Sequence, residues 1–121
     1  MNKRYKDRLK ILEDHEIDEL YGLPRFDQGE QEYYFSLTQE ERDIANSHRS
    51  IENRVLFILQ AGYFKAKTMF FSFKFNEVQD DIRYILRQHF PLFFDIHMAK
   101  PVLRQTKNSQ QQKILALYGY R

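Results

Sequence analysis

Cysteine is absent from the 121 residues, and so is tryptophan. Without thiols the chain has neither disulfides nor cysteine-based zinc sites, and a reducing, cytoplasmic location fits that composition. There are only three prolines and four glycines. Most of them punctuate helical segments: Gly22 with Pro24, Pro91, Pro101 and Gly119. The longest apolar stretch, Leu56 to Phe64, is broken by Gln60 and stopped by Lys65 and Lys67, too short and too charged to span a bilayer. No apolar run follows the basic start MNKRYKDRLK, so it does not read as a signal peptide. Acidic residues are missing altogether after Asp95.

What is present is aromatic mass and uneven charge. Eleven Phe and eight Tyr make 16% of the chain, and 42% is hydrophobic. That supplies a core for one domain over residues 1–121. The net charge of +2 hides a division. Residues 1–60 carry nine Lys/Arg and thirteen Asp/Glu; residues 61–121 carry ten and four. A domain polarised in this way can turn a basic surface to phosphate, although scattered solvated charge explains the same numbers about as well.

Helical signals dominate and predict an all-α domain of about five helices, compatible with helix-turn-helix packing. Asp14 to Leu20 reads as a helix closed by Gly22 and Pro24. Gln31 to Leu37 is ambiguous, because Tyr33, Tyr34 and Phe35 favour strand while no partner strand is evident. Thr38 with Glu41 is a capping box that opens a helix over Gln39 to Asn46. Ser50 caps a long helix from Ile51 to Thr68. Its core face is Ile51, Val55, Ile58, Leu59, Gly62 and Ala66. Asn53, Gln60 and Lys67, seven residues apart, form one polar stripe, and Arg54 and Lys65 a second. Gly62 inside this helix implies close packing of another element. Phe70 to Phe75 reads as an extended connection. Asn76 is expected to cap a helix from Glu77 to His89, ended by Pro91. Residues 91–105 read as a loop, and Thr106 as the cap of a last helix through Tyr118 with Gly119 at C′.

No catalytic constellation emerges. His15, His48, His89 and His97 lack ligand spacing, and no metal or other cofactor is expected. The carboxylates at Glu13–Glu19 and Glu40–Asp43 sit at helix starts, where the helix dipole and capping account for them. Binding features say more. Arg49, Arg54, Lys65 and Lys67 crowd the long helix, and the last begins KNSQQQK. Amides pair with adenine edges and lysines reach phosphates, while a solvated helix face explains the same residues more blandly. Tyr63, Phe64, Phe70, Phe71 and Phe73 have the chemistry to stack on bases, but core packing claims most of them.

Several segments in order resemble a known family. They are Leu20-Tyr21-Gly22-Leu23-Pro24, Tyr34-Phe35-Ser36-Leu37-Thr38 with Glu41, and the run Arg49, Asn53-Arg54, Phe57, Leu59-Gln60, Gly62-Tyr63-Phe64-Lys65-Ala66. Phe70-Phe71, Glu77-Val78, Tyr84-Ile85, Phe90-Pro91 and the closing Ile114-Leu115, Leu117, Gly119-Tyr120-Arg121 follow. The succession is similar to the N-terminal domain of the Tn-three family transposases, long described only as a domain of unknown function. The resemblance implies a helical module at the N-terminus of a much larger transposase, which binds the terminal inverted repeats of a bacterial replicative transposon. It implies that catalysis belongs to an RNase H-like, Mg²⁺-dependent domain elsewhere, so this chain is expected not to be an enzyme. The expected partner is double-stranded DNA, with contacts from Arg49, Asn53, Arg54, Lys65 and Lys67, then Arg104, Lys107 and Gln111. Arginines and lysines would hold phosphates, and Asn53 and Gln111 would read base edges. The tract Asn108–Gln111 departs from the family, whose members more often carry Arg or His there. The alternative is a protein-interaction module, packing Tyr33, Tyr34, Phe70, Phe71, Phe93 and Phe94 on other domains or copies of the transposase. No membrane partner is expected.

Overall fold

The computed structural model describes residues 22–98 and 102–120. The helix expected over Asp14–Leu20, its acidic cluster and Pro101 lie outside them. Five α-helices and no strand occur among the described residues. They are α1 (Gln28–Tyr34), α2 (Gln39–Asn46), α3 (Ile51–Lys67), α4 (Gln79–His89) and α5 (Arg104–Leu117), with 3-10 turns at Phe75–Glu77 and Pro91–Phe93. None of them is long and apolar enough to cross a membrane.

Helix α3 is the axle, packed by α1, α2, α4 and α5. Every residue from Val55 to Phe64 is buried. Ten residues make nearly three turns, so the burial runs all the way round. The expected core face is buried except Ala66, which is half-buried. The expected polar stripe does not stay polar in environment: Gln60 is 3% exposed, covered by α5. Ser50 caps the helix through a bond from the Asn53 N–H. Thr68 ends it in the left-handed conformation, φ 58°. An enclosed helix is not disposed to lie in a DNA groove, whatever turn precedes it.

The aromatic stretch at residues 31–37 is largely helix, not strand. Asp27 and Glu30 form a reciprocal capping box that starts α1 three residues before the ambiguous stretch. That local signal, together with the burial of Phe35 against α3, overrides strand propensity. Gly62 is where α1 meets α3: a Cβ there would lie 2.4 Å from the Phe35 ring. Thr38 and Glu41 form the expected box at the start of α2. Two caps fall elsewhere than expected. Residues 75–77 form a 3-10 turn and α4 begins at Gln79 after Val78, so Asn76 caps nothing. Helix α5 starts at Arg104 behind Leu103, which places Thr106 inside its first turn. Its other end agrees with expectation. Gly119 at φ 81° donates to Ala116 O and Tyr120 to Leu115 O, a Schellman closure.

The aromatics are chiefly structural. Tyr63 meets the rings of Phe26, Phe35, Phe71 and Phe73. Phe64 stacks on Phe70 and Tyr118 and meets Tyr120 edge-on. The connection expected over Phe70 to Phe75 is irregular through Lys74 and pinned by its phenylalanines, and Phe75 already starts the 3-10 turn.

Candidate nucleic-acid interface

Helix α5 is held on α3 by side-chain amides. Gln60 Nε2 donates to Gln110 Oε1 at 2.9 Å, and Gln111 Nε2 donates to Gln60 Oε1 at 2.9 Å. Gln110 Nε2 donates to the Asn53 carbonyl at 2.9 Å and lies 3.2 Å from His48 Nε2. Gln110 has no exposure at all. A buried primary amide is tolerable only when its donors and acceptor are met, and here they are. The network fixes the register of α5, since a one-residue slip would strand three side-chain amides and the Asn53 carbonyl.

The same seam gathers positive charge at the surface. His48 and Arg49 lie in the turn between α2 and α3, and Arg54 lies one turn into α3. Arg54 Nε donates to the His48 carbonyl at 2.7 Å, committing one of its five N–H donors. Burial lowers the basicity of the His48 ring, and the charges of Lys113 on α5 and Arg54 lower it further. Those two cations from different helices therefore act on one point. Arg49 is exposed beside it.

The placement of α5 decides which of its residues face outward. Arg104, Asn108 and Gln112 form one row at spacing four, and Gln105, Ser109 and Lys113 the next. All six are exposed. Gln110 and Ile114 are buried, and Lys107, Gln111 and Tyr118 form the half-buried edge. The outward face is amide, hydroxyl and cation, and α5 holds no acid.

Set against these positions, the sequence-derived residues separate. Arg54 and the Asn53 backbone meet at the cluster, Arg49 is exposed next to His48 in the chain, and Arg104 belongs to the outward face of α5. Gln111 is engaged by Gln60, so its amide serves the seam rather than a base edge. Lys107 turns to an apolar groove lined by Leu56, Phe73, Phe75, Met98 and Val102. Lys65 is a cross-brace: its ammonium donates to the Ser36 carbonyl at 3.0 Å and pairs with Glu41 at 3.2 Å. Lys67 is half-buried in the last turn. Eleven residues of helix put Lys65 roughly 16 Å along the axis from Arg54, outside the cluster. The sequence points to the whole run 107–113 and names Lys107 and Gln111 from it, whereas Asn108, Gln112 and Lys113 are the members that face outward. The missing signal is the buried face of α5, marked in its first half by a glutamine instead of an aliphatic residue.

The remaining polar nodes are internal. Glu41 is 1% exposed, caps α2, pairs with Lys65 and accepts from Tyr118. Burial pushes its carboxyl up, but the bonds from Tyr118 and Thr38 and the Lys65 charge leave it below the ordinary value. Asp81 accepts from Tyr63 and from Gln31, tying α4 to α3 and α1. Burial raises its carboxyl above the ordinary range. No grouping of three metal-ligating side chains occurs among the described residues. Of the aromatics weighed for a protein surface, Tyr34, Phe70 and Phe71 pack against other rings. Tyr33, Phe93 and Phe94 are exposed, with Leu92 and Leu103.

The profile of a family described as Domain of unknown function (DUF4158) matches residues 11–121. No curated protein and no solved structure matches the chain.

Proposed function

The chain belongs to the DUF4158 family, and from that premise we propose that it is a double-stranded-DNA-binding module of a bacterial replicative transposase. It contacts the terminal inverted repeats and has no catalysis of its own. Two lines support the reading: the ordered resemblance to the Tn-three transposase N-terminus, and the acid-free outer face of α5 beside a turn that carries Arg49 and Arg54. The observation that carries it is geometric: Arg54 of α3 bonds the His48 carbonyl at 2.7 Å and Gln110 of α5 lies 3.2 Å from the His48 ring, which brings the exposed cationic and amide face of α5 beside the basic turn. Arg49, Arg54, Arg104 and Lys113 hold phosphates in this arrangement, and Asn108 and Gln112 face the base edges. Lys65 and Gln111 drop out of the contact set because their partners are within the protein, and Lys107 because it is half-buried beside the groove of Leu56 and Phe75.

The test is fluorescence anisotropy with a transposon-end duplex and a scrambled duplex at two salt concentrations. Salt-dependent binding is expected, and Arg49→Ala or Lys113→Ala should each lower the salt slope by about 1. Absence of binding at low salt would end the reading. A second reading, a module that docks on another transposase domain or copy, is favoured by the exposed Leu92, which is 96% accessible, with Phe93, Phe94 and Leu103 nearby in sequence. Concentration-independent monomers in light scattering would count against self-association.

A further inference from the structure

The proposed DNA site contains one group whose hydrogen bonding in the protein alone conflicts with its use as a cation. Gln110 has a fixed orientation. The Asn53 carbonyl can only accept, so the Gln110 nitrogen must face it, and the Gln110 oxygen receives Gln60. The second hydrogen on that nitrogen is directed to His48 Nε2 at 3.2 Å. His48 Nε2 must therefore accept, which makes the ring neutral with its proton on Nδ1. A proton on Nε2 would set donor against donor and break the contact with α5.

The charges acting on the ring are Lys113 from α5 and Arg54 from α3. Arg49 is adjacent in the turn; Asp43 on α2 and Glu52 on α3 are the nearest acids in sequence, and neither acts on the ring. In the protein alone this surroundings opposes a further positive charge. A phosphate diester seated among Arg49, Arg54 and Lys113 reverses the local field, and the same position then favours imidazolium.

Resting on the DNA reading above and deepening it, we infer that His48 is a conditional phosphate ligand. It is neutral and bonded to Gln110 without DNA; with DNA it takes one proton from solvent, releases Gln110 and donates to a phosphate oxygen. The group of Arg49, Arg54 and Lys113 then gains a fourth cation at the moment of binding. By linkage, affinity rises as pH falls, by up to about tenfold per pH unit where one proton is taken up. The loosened Gln110 contact carries the event into the seam that sets α5.

Two measurements test it. In the protein without DNA, nitrogen-detected NMR of the histidine rings should show His48 as the Nδ1–H tautomer. It should protonate below the ordinary histidine value of 6.5, with the Gln110 side-chain amide shifting in step. An Nε2–H tautomer, or titration with no response from Gln110, overturns the inference whatever the DNA result. Anisotropy with the transposon-end duplex from pH 8 to pH 6 should then show tightening of about threefold or more. His48→Gln, which keeps an acceptor for Gln110, should flatten that dependence. Binding whose pH dependence survives in His48→Gln overturns the inference and leaves the DNA reading standing. A chain that binds no duplex at any pH overturns both.

Discussion

Helix α4 meets α3 chiefly with Ile82, Ile85 and Leu86, all buried, beside one polar tie from Asp81 to Tyr63, whereas α5 meets it with Ile114 and the two glutamines Gln110 and Gln111. The apolar contact is strong in proportion to its area and largely indifferent to small rotations. The amide contact contributes little net free energy per bond, yet it is costly to misalign. One helix is therefore clamped and the other indexed. Of the two, it is the indexed helix that turns a polar, acid-free face outward, and its register sets where that face points.

The largest expected effect tests the clamp. Ile85 is fully buried, so Ile85→Ala should cost about 3 kcal/mol in urea denaturation. A loss below about 1 kcal/mol would mean that α4 is not held by its apolar face. Gly62→Ala comes next and concerns the α1 contact. Alanine is better than glycine in a helix by about 1 kcal/mol, but its Cβ meets the buried Phe35 ring, and a net loss of about 2 kcal/mol is expected. A gain in stability would show that Phe35 yields at no cost.

Gln110→Leu probes the indexing. It strands the Gln60 amide and the Asn53 carbonyl, and should cost about 1.5 kcal/mol. Adding Gln60→Leu should cost less than the sum of the single changes, because two partners of one network then go together. Strict additivity would break the distinction between α4 and α5. The smallest effect is in pH. Burial lowers both His48 and His89, with Lys113 and Arg54 adding to it at the first and Arg42 and Lys65 at the second. The unfolded rings take protons near the ordinary value of 6.5 while the folded ones resist. Stability should therefore fall as pH drops below about 6.5, by roughly 1 kcal/mol or less by pH 5.5. Asp81 acts oppositely, since its raised carboxyl costs stability when ionised and relieves it on protonation. Glu41, lowered, is lost only below its ordinary value of 4.5. Urea midpoints at pH 7.5 and 5.5, for the native chain and for His48→Gln, check the sign; a flat or rising midpoint would contradict it.

Much of the fold was readable in the chain. Period-3.6 apolar spacing marks α3 and α4, Thr38 with Glu41 marks α2, and Gly119 marks the end of α5. The capping box of Asp27 and Glu30 is equally local, and attention to it resolves the strand-like stretch that follows. The candidate interface was readable only in part. Arg49 and Arg54 are flagged by their neighbourhood to an apolar helix. Lys65, flagged by the same logic, is consumed by Glu41, a residue 24 positions away.

What the sequence alone determined is the helical class, the capped starts of α2 and α3, and the absence of acid after Asp95. These depend on residues within a turn or two of each other, or on counting. Tertiary structure decided which side of each helix faces water. It wrapped α3 on all sides, buried Gln60 and Gln110 against each other, and left Asn108, Gln112 and Lys113 outside. The physical reason is that an amide is at home in water or in a satisfied buried pair. Only the position of its partner, about fifty residues away in the chain, tells the two apart.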